Sequence, residues 1–176
     1  MISLDKLNEA TVCFLWKEEK ILLALKTRKI GKGFLNGYGG MLEHGESSEE
    51  SLVRETYEET GNGFSGGVIV NLEGVEKIAV ANFCNVDEVG EESYCVVHFY
   101  IARKWSGVIG ETPEMIKPPW YDWDRLPYDR MIPTDMFWLP QALSGKRLLV
   151  QAKLGPGQKE IIGQVEVREV EHFEIE

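Results

Sequence analysis

Apolar positions in this chain recur mostly at intervals of two, in runs bounded by charged or glycine-rich turns. Such alternation marks strands with at least one buried face. Ala10 to Trp16 and Ile21 to Lys26 are β-rich runs, and the polar turn Lys17-Glu18-Glu19-Lys20 between them predicts a hairpin. Val75 to Val86 and Ser93 to Trp105 form a second pair across the acidic turn from Asp87 to Glu92. Leu148 to Leu154 and Glu160 to Val170 alternate around Gly155-Pro156-Gly157, which predicts a closing hairpin over about 147–170. We expect that hairpin to complete the sheet rather than to mediate self-association.

Two segments switch to a helical period. Ser47 or Ser48 can cap a helix whose apolar side carries Leu52, Val53 and Thr56, and Gly61 is placed to end it. A shorter helix is expected from Asp135 to Leu143, with Pro140 awkwardly beyond its first turn. Thr112 to Trp123, with Pro113, Pro118 and Pro119, reads as irregular surface loop. Strands followed by helices, without regular βαβ alternation, point to an α/β fold: a mixed sheet with helices packed on it.

A chain of 176 residues fits a single domain, 1–176, with its own core. No unbroken apolar run is long enough to cross a membrane, and the first residues lack the layout of a secretory signal. Cys13, Cys84 and Cys95 are odd in number and lack metal-type spacing. Reduced thiols in a cytoplasmic protein are therefore expected. The net charge of −10 argues against a general grip on nucleic-acid polymers. A small nucleotide stays compatible with that charge if a metal bridges the two.

The chemistry concentrates between Gly40 and Gly61. Glu55, Glu58 and Glu59 stand at i, i+3 and i+4, so on a helix they share one face. Like charges there repel, and a hard divalent cation with oxygen ligands relieves them. The alternative is an ordinary solvated acidic face. Arg54 can pair with Glu46 or orient Glu55 through its forked donors. Ahead of the helix, glycines 31, 33, 37, 39 and 40 allow close backbone approach to a ligand.

Gly40, Glu46, Arg54, Glu55, Glu58, Glu59 and Gly61 together resemble the Nudix box, the motif of the Nudix hydrolases. Thr56 and Asn62 depart from it at positions usually aliphatic. The resemblance implies an α/β/α sandwich with the box helix packed on the sheet. It also implies a Mg2+ site, with Mn2+ as the substitute, built from Glu55, Glu58, Glu59 and the carbonyl of Gly39. Glu55 is then the first candidate for general base and Glu114 the second, with Arg54 supporting them; Gly40, Glu46 and Gly61 support the motif. A solvated loop carboxylate is the other reading of Glu114.

A narrower likeness runs through Leu22 to Lys26, Gly31 to Gly40, Trp120-Tyr121, Leu126-Pro127-Tyr128 and Ile132 to Pro140. These resemble the oxidised purine nucleoside triphosphatases, the MutT-like 8-oxo-dGTP diphosphatase branch. The likeness implies that Asn36 and Asp135 read opposite purine edges, that Lys26 lies near the phosphates, and that Thr11 lines the base pocket. Asn36 as a turn-former and Asp135 as a helix cap are the competing readings. Phe83 and Trp138 either flank the pocket or pack the core. Leu35, Ile132 and Thr134 depart from the branch, where two tryptophans and an acid are usual. The implied reaction is Mg2+-dependent hydrolysis of a nucleoside triphosphate, purine and oxidised or not, to monophosphate and pyrophosphate. Another nucleoside diphosphate-linked substrate and a non-catalytic nucleotide sensor stay open. The expected partner is a small nucleotide, with no nucleic-acid polymer and no membrane, for a monomer or small homo-oligomer.

Overall fold

Successive side chains of a strand point to opposite faces, and the first strand of this protein buries both of them. The computed structural model describes residues 7–29, 31–116 and 120–173. In chain order its elements are β1 (Leu7–Lys17), β2 (Lys20–Leu22), β3 (Ala24–Lys26), β4 (Leu35–Asn36), α1 (Ser48–Glu59), β5 (Gly67–Val70), β6 (Val75–Val86), β7 (Glu92–Ala102), β8 (Trp105–Val108), β9 (Met115–Ile116), β10 (Trp120–Asp122), α2 (Asp135–Leu143), β11 (Arg147–Leu154) and β12 (Ile161–Val170).

A seven-stranded sheet runs β10-β2-β1-β7-β6-β11-β12. It is mixed: β1–β7 and β6–β11 are parallel, and the other pairs are antiparallel. Phe14 and Trp16 of β1, Phe99 and Ile101 of β7, and Ile21 of β2 enter one core. Trp138, Leu139, Ala142 and Leu143 of α2 close that core. Cys13 and Leu15, Tyr100 and Ala102, and Leu22 point the other way, towards Leu52 of α1. A sheet covered by a helix on each face is the α/β/α sandwich. No helix among the described residues is long and apolar enough to cross a membrane.

The hairpins follow the sequence pattern closely. β1 and β2 pair antiparallel with Leu15 opposite Leu22, and β11 and β12 close the sheet at the β6 side. Three expectations need correction. The run Ile21 to Lys26 is two strands, because Ala24–Lys26 leaves the main sheet to pair with β4 and β9. The run Ser93 to Trp105 likewise stops at Ala102, and Trp105 opens β8, which pairs with the unanticipated β5. Thr112 to Trp123 is not wholly irregular: it holds β9 and β10, whose backbone groups bond to β3 and β2. Pro118 and Pro119 lie outside the described residues. All three cysteines are unpaired; Cys13 is buried and burial pushes its thiol up to about 12.

Candidate active site

The site begins with how α1 starts. Ser47 is its N-cap: the Ser47 hydroxyl accepts from the Glu50 N–H at 3.2 Å, and the Glu50 carboxylate accepts from the Ser47 N–H at 2.8 Å. This reciprocal pair fixes the first turn. Ser51 Oγ then lies 3.3 Å from Thr11 Oγ1, with both residues buried, tying the helix to β1. Thr60 caps the far end and Gly61 follows with φ 135°, where a Cβ would strike the backbone of Gly66.

The glycine-rich loop is laced to β1 from the opposite side. Thr11 N–H donates to the Gly40 carbonyl at 2.9 Å, and Tyr38 and Cys13 exchange backbone bonds of 2.9 and 2.6 Å. A Cβ at Gly39 would run into the Thr11 carbonyl, and one at Gly40 into the Glu55 carboxyl. Only glycine lets this loop lie so close to both strand and helix.

Arg54 organises the acids. Its Nε and Nη2 donate to the two carboxylate oxygens of Glu46 at 2.7 and 2.8 Å. Its Nη1 donates to Glu55 at 2.7 Å and to Glu58 at 3.4 Å, and Nη2 also reaches the Met41 carbonyl at 3.1 Å. The guanidinium holds the Glu46 carboxyl down at about 2. It thus pairs with Glu46 and orients Glu55 at once.

Glu55 and Glu59 line a cavity of about 290 Å3 together with Thr11, Lys26, Asn36, Gly39, Gly40 and Glu114. Glu59 is almost wholly buried and accepts from the Gly39 N–H at 2.7 Å, with Lys26 Nζ 3.9 Å away. Burial pushes its carboxyl up to about 7; Lys26 and the Gly39 N–H pull against that, and Glu55 and Glu114 add to it. Burial also raises Glu55, with Arg54 lowering it and Glu58 raising it. Glu114 pairs with Lys29 at 3.1 Å across the rim, so it is held in place rather than solvated.

Glu58 is 45% exposed and leans on Arg54 rather than into the cavity. Among the described residues no set of three or more His, Cys, Asp or Glu converges tightly enough to hold a metal as placed. The donor set nonetheless fits a hard dication. It is all oxygen, and Glu58 raises Glu55 while Glu55 raises Glu59, a repulsion that a positive ion between them relieves.

The cavity lining also has an apolar part: Phe83, Val97, Phe99 and Ile132. Trp138 is fully buried behind it, its ring 4.6 Å from that of Phe99, so it packs the core and does not flank the pocket. Asn36 lines the cavity while its Oδ1 accepts from the Gly37 N–H at 2.8 Å. The turn role is therefore present, and the Nδ2 donors are what Asn36 can offer a ligand. Asp135 does not cap α2. Thr134 takes the N-cap position, and Asp135 is the first helical residue, buried and not among the residues that line the cavity. Burial pushes it up to about 7, against the Thr134 hydroxyl, which lies 3.5 Å from its Oδ1.

The NUDIX domain family model matches residues 6–141 of this chain, well over half of it. The chain belongs to the Nudix hydrolase family. Being a Nudix hydrolase, it is a pyrophosphohydrolase. An oxidized purine nucleoside triphosphate hydrolase of Danio rerio is 33% identical over 130 residues, covering 74% of this chain and 76% of the relative. Its namesake in Mus musculus is 28% identical over 163 residues, covering 93% and 96%. A solved MutT protein from Bacillus halodurans has the same fold, with a TM-score of 0.74 at 24% identity over 91% of this chain and 97% of that one.

In this Nudix hydrolase the cavity also recruits residues that sequence reading did not single out: Met41, Asn85, Val97, Phe99 and Gln158. They come from four separate segments of the chain. Their apolar or amide side chains carry no motif spacing that could have flagged them. The Gly155-Pro156-Gly157 turn was the one available signal, since Gln158 follows it directly.

Proposed function

We propose that this Nudix hydrolase cleaves a purine nucleoside triphosphate, oxidised or not, to the nucleoside monophosphate and pyrophosphate. One observation carries the reading: the cavity lining combines apolar Phe83, Val97, Phe99 and Ile132 with the acids Glu55, Glu59 and Glu114 and the lysines Lys26 and Lys29. The first suits a planar base and the second a charged phosphate chain. The activity for which the Danio rerio and Mus musculus relatives are named supports the same substrate class.

Hydrolysis needs water oxygen to bond to a chain phosphorus while the bridging P–O bond opposite it breaks. One water proton must leave, and the carboxylate within reach accepts it. Glu55 is the first candidate, held in direction by Arg54 at 2.7 Å; Glu114 on the rim is the second. Lys26, on the cavity lining beside Glu59, suits the phosphate charge. Glu55, Glu58, Glu59 and the Gly39 carbonyl are the donors suited to Mg2+ or Mn2+. Such an ion screens phosphate charge and acidifies bound water. Asn36 offers N–H donors to a base acceptor. Ile132 offers the base an aliphatic surface.

The test is a Mg2+-dependent panel of purine and pyrimidine triphosphates, 8-oxo-dGTP included, with pyrophosphate and phosphate release scored separately. Pyrophosphate from purines, with a larger KM increase for purines than pyrimidines in Asn36→Ala, is expected. Turnover of no triphosphate, with tight binding of one, would instead make the protein a nucleotide sensor.

A further inference from the structure

The turn between β11 and β12 reaches the cavity through a residue that lies beyond the stretch matched to the family model. Gln158 has a left-handed backbone, φ 59°, immediately after Gly157 with φ 65°. That conformation is disfavoured for a residue with a Cβ and is natural for glycine or asparagine. A glutamine held there points to a use for its side chain.

The side chain is only 8% exposed and lies on the cavity wall beside Asn85, at the end of β6. Its Nε2 donates to Asn85 Oδ1 at 2.9 Å, which fixes the orientation of both amides. Its Oε1 is buried and has no hydrogen-bond partner. Gly31 of the glycine-rich loop borders that oxygen: a Cβ there would stand 3.8 Å from it. Proteins pair nearly all buried acceptors, because one left unmade is costly. A phosphate cannot fill this position, since two acceptors would meet. An N–H or O–H donor can.

We infer that Gln158 Oε1 accepts a hydrogen bond from the nucleoside part of the substrate, a base N–H or a ribose hydroxyl, and that Gln158 is a specificity-determining residue. The inference rests on the reading above that the cavity takes a nucleotide. The C-terminal hairpin then serves the site as well as the sheet: β11 carries the chain alongside β6, and the turn brings Gln158 against Asn85.

Guanosine 5′-monophosphate carries both kinds of donor and is the probe. Calorimetric titration into wild type, Gln158→Met and Gln158→Gly is expected to show affinity falling about tenfold in both variants. Gln158→Gly should keep or raise Tm, because glycine suits the backbone there. A weakened site in a fold at least as stable separates recognition from folding. The donor is a ribose hydroxyl if the penalty vanishes with the 2′,3′-dideoxy analogue. It is a base N–H if the penalty vanishes with 1-methylinosine monophosphate. Equal affinity of all three proteins, a penalty undiminished with both analogues, or no binding by wild type would overturn the inference. Wild type that hydrolyses GTP alongside indifferent variants would sink the Gln158 assignment alone. Wild type that hydrolyses no triphosphate would sink the proposed function, and the titration would still decide Gln158.

Discussion

Arg54 clasps both carboxylate oxygens of Glu46 through one edge of its guanidinium, at 2.7 and 2.8 Å, and leaves its remaining nitrogen to hold Glu55 at 2.7 Å. A forked, charge-assisted pair of this kind fixes direction as well as distance. Glu46 therefore positions Glu55 without touching it. Glu46 is held down at about 2 against an ordinary 4.5. Its contribution to stability is present above about pH 4.5 and is lost as pH falls towards 2. Arg54→Gln should lose less stability than wild type between pH 7 and pH 3, measured by urea midpoints. It should also lower kcat/KM about tenfold or more.

Glu58→Gln separates the site from the fold. The side chain is 45% exposed, so its replacement should leave Tm nearly unchanged. Mg2+-dependent turnover should fall about a hundredfold or more, as expected for loss of a metal donor. Full activity in this variant would remove Glu58 from the site.

Asp135 gives the opposite pH sign to Glu46. Its carboxyl is raised from 3.8 to about 7 by burial, so the folded protein holds the proton more tightly than the unfolded chain. The stability this provides is full below about pH 4 and is lost as pH rises to about 7. Asp135→Asn should flatten that slope. At pH 8 the variant should be more stable than wild type by an amount on the order of a few kcal/mol. Parallel stability curves for the two proteins would refute the buried charge.

Gly40→Ala tests the closeness of loop and helix. The added methyl would overlap the Glu55 carboxyl, so either the loop or the carboxylate must move. Overpacking of this kind costs about 1–3 kcal/mol. Loss of activity at least as large as that for Glu58→Gln is expected, with a folded circular dichroism spectrum.

The parts of this protein that are local along the chain are legible in its sequence. The Ser47 cap, the acids of α1 and Gly61 sit within one short stretch, and periodicity with capping chemistry suffices to place them. The long hairpins were legible for the same reason. The small sheet of β3, β4 and β9 was not, because two- and three-residue strands carry no period and exist only through distant partners. Asp135 stays open in the sequence between base reader and helix cap, because only the fold shows it as a buried first-turn residue outside the cavity lining. Asn85 and Gln158 were invisible because nothing in their spacing brings them together; the parallel pairing of β6 with β11 does.

The parallel pairing of β1 with β7 has a consequence for synthesis. Leu7 lies opposite Tyr94 and Leu15 opposite Ala102, so the first strand has its central partner on a segment made much later. During translation the nascent chain exposes the apolar residues of β1 until the second half emerges from the ribosome. Contacts so distant along the chain slow folding. The nascent N-terminal half is where chaperone demand should concentrate.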